Sequence, residues 1–156
     1  MNKEFFEMDH NLPPAMLEQV KQTLEFQRNP EKDNIEDWIP MELLGYDADH
    51  QEYRIKATTA AWMRNAVGNV HGGIITAYLD QAMGCVCHCQ KASAEIAPTI
   101  EMNLSFHRPV LTNQEILIRV QVLSVTRHLI RMTSQVSMAD APEKICVSAS
   151  ATFYCR

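Results

Sequence analysis

The sequence predicts an α+β fold in which a curved antiparallel sheet wraps one long helix, and three observations carry that expectation. Between Thr99 and Phe153 four stretches alternate apolar and other residues with period two, the mark of antiparallel strands with one buried face. Gly72 and Gly73 lead into a helix from about Ile74 to Lys91 that is apolar nearly all round, as in a helix that is enclosed rather than lying on a surface. The stretch "MELLGYDADHQEYRIKATT" reads as two further strands around a turn at Asp47 to His50.

In chain order, residues 1–40 form an N-terminal accessory segment with a helix, and residues 41–156 the main domain. In "LPPAMLEQVKQTLEFQ" the proline pair suits a helix start, and Met16, Leu17, Val20 and Leu24 follow at helical spacing. Arg28 to Pro40 is a polar connector, with Trp38 and Ile39 packing on the main body. After the long helix, the strand faces are Ile100, Met102, Leu104 and Phe106, then Ile116, Ile118, Val120 and Val122. Ile130, Met132, Val136 and Met138 form the third, and Ile145, Val147, Ala149, Ala151 and Phe153 the fourth. The links "RPVLTNQ", "VTRH" and "MADAPEK" are short turns, which predicts that successive strands are neighbours. The other sheet face carries Thr133, Gln135, Ser137, Ser148, Ser150 and Thr152, suited to water or to another copy of the chain.

Composition narrows the class of protein. At 156 residues, 46% hydrophobic and 21% charged, the chain suits one globular domain. A net charge of −5 argues against nucleic acid, which demands a basic face. The longest apolar run, Ile74 to Cys89, is interrupted by Asp80, Gln81 and His88, so no membrane span is expected. The start "MNKEFFEMDHNLPP" has no apolar signal core, which makes a cytoplasmic, reducing setting the expectation. Of the cysteines in "CVCHC", Cys85 and Cys89 share a helix face while Cys87 points away, and His88 does not repair that geometry. With Cys146 and Cys155 remote, the five read as buried core residues, with neither metal nor disulfide framework.

Chemistry concentrates in "RNAVGNVHGGIITAYLDQAMG", residues 64–84, where Asp80 interrupts an apolar run. Gly68, Gly72 and Gly73 form neither a phosphate loop nor a dinucleotide fingerprint. They remain either a tight turn or a helix start whose free N–H groups polarise a carbonyl. His71 either orients that loop or performs acid–base work, and it has no partners at metal spacing. Asp80 either is structural, needing donors, or serves as a nucleophile or a base that activates water. Eight residues separate Gly72 from Asp80, about 12 Å along one helix. One chain's pair cannot reach the same carbonyl, so a site using both must join two copies across a two-fold interface.

"VHGGIITAYLD" followed by "PTIEMNLSFHRP" resembles the hotdog-fold acyl-CoA thioesterases, in their phenylacetic-acid-degradation (PaaI-like) branch. The resemblance runs from about Met41 to Tyr154, so it makes residues 41–156 the hotdog thioesterase domain. It implies a long central helix wrapped by a strongly curved antiparallel sheet, active sites at a dimer interface, and dimers that pair again into homotetramers. Asp80 then matches the catalytic acid, and the Gly72 N–H the main carbonyl-polarising donor, with Gly73 beside it. Asn65 matches an asparagine that assists at the carbonyl, His71 the histidine that shapes the loop, and Thr99 a hydroxyl position that helps hold the water. His107 and Arg108 lie where relatives place cations near the nucleotide end of coenzyme A, or are simply solvated at a strand end.

The activity so implied is hydrolysis of an acyl-CoA thioester to a free acid and coenzyme A. It needs no metal or separate cofactor, because coenzyme A is part of the substrate. The alternatives are a hotdog hydratase or dehydratase using His71 and Asp80, and a non-catalytic acyl-CoA-binding protein. Aryl, short-chain and medium-chain acyl groups all stay open, as does the choice between nucleophile and base for Asp80.

Overall fold

The computed structural model of the protein describes residues 14–27, 31, 33–90 and 97–155. The first thirteen residues, Arg28 to Pro30 of the connector, and Lys91, the expected helix end, lie outside that set. Helix α1, Pro14–Gln27, opens on a proline, whose missing N–H costs nothing in a first turn. Its buried Val20 and Leu24 join the core, and the helix packs on β1 (Met41–Asp47) and α3 (Gly72–His88). The four-residue α2, Ile35–Trp38, leads to Ile39, which is buried as expected. Trp38 also packs on the main body, but only in part, and stays 54% exposed. Its Nε1–H donates to Asp33 Oδ1 at 2.8 Å, and its ring meets Trp62 edge-on at 5.9 Å. That tether holds its polar edge outside the core.

Strands β2 (Glu52–Thr58), β3 (Thr99–Phe106), β4 (Glu115–Val125), β5 (Leu129–Met138) and β6 (Ile145–Tyr154) complete one sheet with β1. The order is β1-β2-β4-β5-β6-β3, antiparallel throughout. The links "VTRH" and "MADAPEK" join neighbouring strands, as expected. "RPVLTNQ" does not. Strand β3 pairs with β6 at the far edge, so this link crosses back over β6 and β5 to reach β4. Three strand spacings are about 14 Å, well within the reach of seven residues at about 3.3 Å each. A short link therefore does not imply a hairpin.

Helix α3 lies across β4, β5, β6 and β3, burying Ile75, Tyr78, Leu79, Ala82, Met83 and Val86 against the sheet. The expectation of an enclosed helix holds for that side only. Gly73 and Asp80 are exposed and Thr76 and Ala77 only half-buried, so the opposite side is open in one chain. The outer sheet face also differs from expectation at one place. Ser137 is fully buried by its own chain, with Arg119 bridging it to the Pro142 carbonyl. All five cysteines are buried and unbridged, with Cys87 Sγ 3.6 Å from Cys155 Sγ. Among the described residues no helix is long and apolar enough to cross a membrane.

Candidate active site

The first turn of α3 makes the centre of the site. A helix start leaves N–H groups without intrahelical partners, and here most find one locally. His71, the N-cap, donates its own N–H to the Met63 carbonyl at 2.7 Å. Its Nδ1 accepts the Gly73 N–H at 3.0 Å, and its carbonyl accepts from Ile74 and Ile75 at 2.9 and 3.2 Å. The Gly72 N–H alone in this turn donates to no described residue. It sits at the positive end of the helix dipole, and Gly72 lines a pocket of about 450 Å³.

Two loops enclose that pocket. In the first, Asn65 Oδ1 accepts the backbone N–H groups of Val67 and Asn69, both at 3.1 Å. Two donors at one atom fix the amide orientation, which leaves the Asn65 Nδ2 hydrogens for the pocket that the residue lines. The second is the β3-to-β4 crossover, held to the first where the Val70 N–H donates to the Val110 carbonyl at 2.8 Å. Irregular pairing near Cys146 lets its carbonyl accept from both His107 and Arg108 N–H groups, at 2.8 and 3.0 Å. The His107 Nε2 lies 2.8 Å from Ser148 Oγ, and the Arg108 guanidinium donates to the Ile145 carbonyl at 2.7 Å. Both side chains are exposed on the pocket rim and tied to β6.

Asp80 stands apart from this pocket. It lies on the open side of α3, and its Oδ1 accepts the Thr99 hydroxyl at 2.5 Å. A β-bulge makes that contact possible. In the regular alternation Thr99 points away from the helix, in phase with Glu101 and Asn103. The register shift between Thr99 and Glu101 leaves Ile100 as the extra residue and sets Thr99 opposite Phe153. Thr99 thereby turns to the helix side, the re-aiming that bulges give next to functional sites. Ile100, expected among the core-facing residues, is instead 57% exposed.

The sequence-predicted residues thus fall into two groups. Gly72, Asn65, His107 and Arg108 line one pocket, with His71 and Gly73 engaged in capping the helix behind it. Asp80 stands about 12 Å further along α3, two helical turns away, with Thr99 of β3 bonded to it. Three features escaped sequence reading. Phe106 places its Cζ 3.2 Å from where a Cβ on Gly72 would lie. Asn69 and Val110 line the pocket. Tyr78 anchors the helix floor, its buried hydroxyl donating to the Thr58 carbonyl at 3.2 Å; burial pushes its phenol up to about 12. Among the described residues no cluster of three or more His, Cys, Asp or Glu could hold a metal.

In sequence, residues 67–143 match the family model of the thioesterase superfamily. No curated protein matches the chain. In fold it is similar to a phenylacetic acid degradation-related protein of Ralstonia eutropha, at 19% identity and TM-score 0.72, covering 88% of this chain and 99% of that one. The PaaI protein of the E. coli phenylacetic acid degradation operon gives 16% identity and TM-score 0.73, over 90% and 96% of the two chains. A Streptococcus mutans protein solved with bound acetyl-CoA gives 16% and 0.63, over 73% and 86%. The six-stranded antiparallel sheet with its helix is the hotdog fold these proteins share.

Proposed function

From the match of residues 67–143 to the thioesterase superfamily model and the shared hotdog fold, we propose that the chain is a member of that superfamily and hydrolyses an acyl-CoA thioester to a free carboxylic acid and coenzyme A. The observation that carries the reading is the Gly72 N–H, a helix-terminal donor with no described acceptor at the wall of a pocket. Aimed at a thioester oxygen, such a donor stabilises the charge that grows there as water adds. The Asn65 amide is the second donor. Acetyl-CoA bound to the Streptococcus mutans neighbour supports coenzyme A thioesters as the ligand class.

Asp80 supplies the other half of the reaction from a second copy of the chain. Its carboxylate, held by the Thr99 hydroxyl, takes a proton from the attacking water, or attacks the carbonyl directly to give an anhydride that water then opens. In the first route the tetrahedral intermediate expels the coenzyme A thiolate, which receives the proton held by Asp80; in the second the thiolate leaves as the anhydride forms, and the water that opens the anhydride supplies its proton. Three features favour a shared site. The two groups are too far apart within one helix. The Asp80 side of α3 is open and carries the small residues Gly73 and Ala77, which allow another helix to approach. Strand β3 is a sheet edge with Ile100 and Phe106 both 57% exposed, and such an edge is a ready surface for pairing with another strand.

The test is thiol release from a panel of acyl-CoA thioesters of varied length, with aryl members included. Turnover of at least one thioester, lost in Asp80→Asn protein that still forms the wild-type assembly, is the expected result. Absence of release from every thioester would overturn the reading.

A further inference from the structure

The contact between Phe106 and Gly72 deepens the thioesterase reading and rests on it. We propose that Phe106 determines how much bulk the enzyme accepts on the carbon next to the thioester carbonyl. A carbonyl oxygen within hydrogen-bond reach of the Gly72 N–H, about 2.9 Å, brings the acyl α-carbon alongside the Gly72 backbone. The space there is already claimed. The Phe106 ring approaches so closely that its Cζ stands 3.2 Å from the position of a Gly72 Cβ. Of the remaining apolar lining, Val70, Ile75 and Val110 are at most 5% exposed and fixed in the core, while Pro109 lies exposed on the rim. The ring, 57% exposed at the strand end, is the wall that a substituent on the α-carbon meets. An unbranched acyl group passes beneath it, whereas an α-methyl group competes with it for room.

The experiment compares kcat/KM for two pairs of thioesters that differ in α-branching: butyryl-CoA against isobutyryl-CoA, and phenylacetyl-CoA against 2-phenylpropanoyl-CoA. The full chain is used in wild-type, Phe106→Ala and Phe106→Leu forms, with melting temperature and assembly mass measured beside the kinetics. Wild type favours the unbranched member of whichever pair it turns over. Phe106→Ala raises the branched-to-unbranched ratio by about tenfold or more, the scale on which a pocket discriminates one methylene, and Phe106→Leu gives a smaller rise. If Phe106→Ala fails to fold, the ratio in Phe106→Leu, which keeps an apolar side chain on the strand, decides. A merely structural ring would lower both values together and leave the ratio in place, and a ratio within about twofold of wild type overturns the role of Phe106. A wild-type preference for the branched member overturns it as well. Failure of the thioesterase reading looks different, because wild type then releases thiol from none of the four substrates.

Discussion

Mixing two inactive variants tests the shared site most directly, and the structure supplies both variants and the expected yield. Gly72→Pro removes the free N–H. Gly72 is the first residue of α3, where proline is tolerated. The preceding His71 sits at φ −63° and ψ 135°, the extended conformation that a residue before proline prefers. The added Cβ would meet Phe106 Cζ at 3.2 Å, so the ring must give by a few tenths of an ångström. Gly72→Ala brings the same Cβ but keeps the N–H, so it isolates the steric part. Turnover should fall about a hundredfold or more in Gly72→Pro, and about two to four orders of magnitude in Asp80→Asn. In an equal mixture with free subunit exchange, half the dimers are mixed, and each mixed dimer has one site with both defects and one with neither. Activity should return to about a quarter of the wild-type value per chain, from parents that show about 1% or less. Thiol release before and after exchange is the assay, with exchange shown by mass spectrometry of differently tagged chains. Folded parents, proven exchange and activity still at the parental level would refute the two-chain site.

Thr99→Val removes the hydroxyl that Asp80 accepts at 2.5 Å; kcat should fall about tenfold with KM within about twofold of wild type, and Thr99→Ser should restore it. A normal kcat in folded Thr99→Val would show that the hydrogen bond does not serve catalysis. His71→Ala deletes the cap on the Gly73 N–H and should cost about 1 kcal/mol, a fall in melting temperature of about 2–4 °C, whereas His71→Asn retains a capping oxygen and should melt close to wild type. Tyr78 gives an alkaline signature: its folded-state pKa of about 12 lies above the ordinary 10.0. A raised value favours the neutral phenol in the folded state, so its contribution is complete below pH 10 and is lost as pH rises through 12. Chemical denaturation across that window should show a decline in stability that is shallower in Tyr78→Phe, and equal slopes would contradict it.

Periodicity made the strands legible because each of β4, β5 and β6 buries one face, and burial is what a period-two pattern records. It could not report pairing. Nothing in Ile100 to Phe106 says that β3 lies beside β6 rather than β4, since the same apolar face suits either neighbour. Link length misled for the same reason: seven residues close a loose hairpin or cross two strands equally well. The bulge was also hidden. An extra residue inside a strand leaves no mark on the sequence when it is itself apolar, as Ile100 is, yet it decides whether Thr99 faces the helix or the solvent. Local chemistry was more readable at the glycine turn, because a histidine followed by two glycines before an apolar helix constrains the backbone directly. Phe106 stayed invisible because its place in the alternation made it look like ordinary core.

Asp80 shows what kind of information one chain withholds. Its neighbours in sequence are apolar, and from those neighbours alone a buried carboxylate follows. The structure puts it instead on the open side of α3, exposed and with one oxygen held by Thr99, so a single chain does not bury it there. The residues sharing that side, Gly73, Thr76 and Ala77, are not those of a helix face shaped for water, which would carry lysine, glutamate and glutamine. They are small, as close approach by another backbone requires. The pattern of an enclosed helix would be met in full only by the proposed assembly, with the chain's own sheet on one side and a second copy on the other. On the two-chain reading proposed above, Asp80 would move from water into a cleft opposite the other copy's Gly72 N–H. The proposed site would bring a carboxylate and a carbonyl-polarising donor together only when two folded chains meet, because about 12 Å of helix separates them within one.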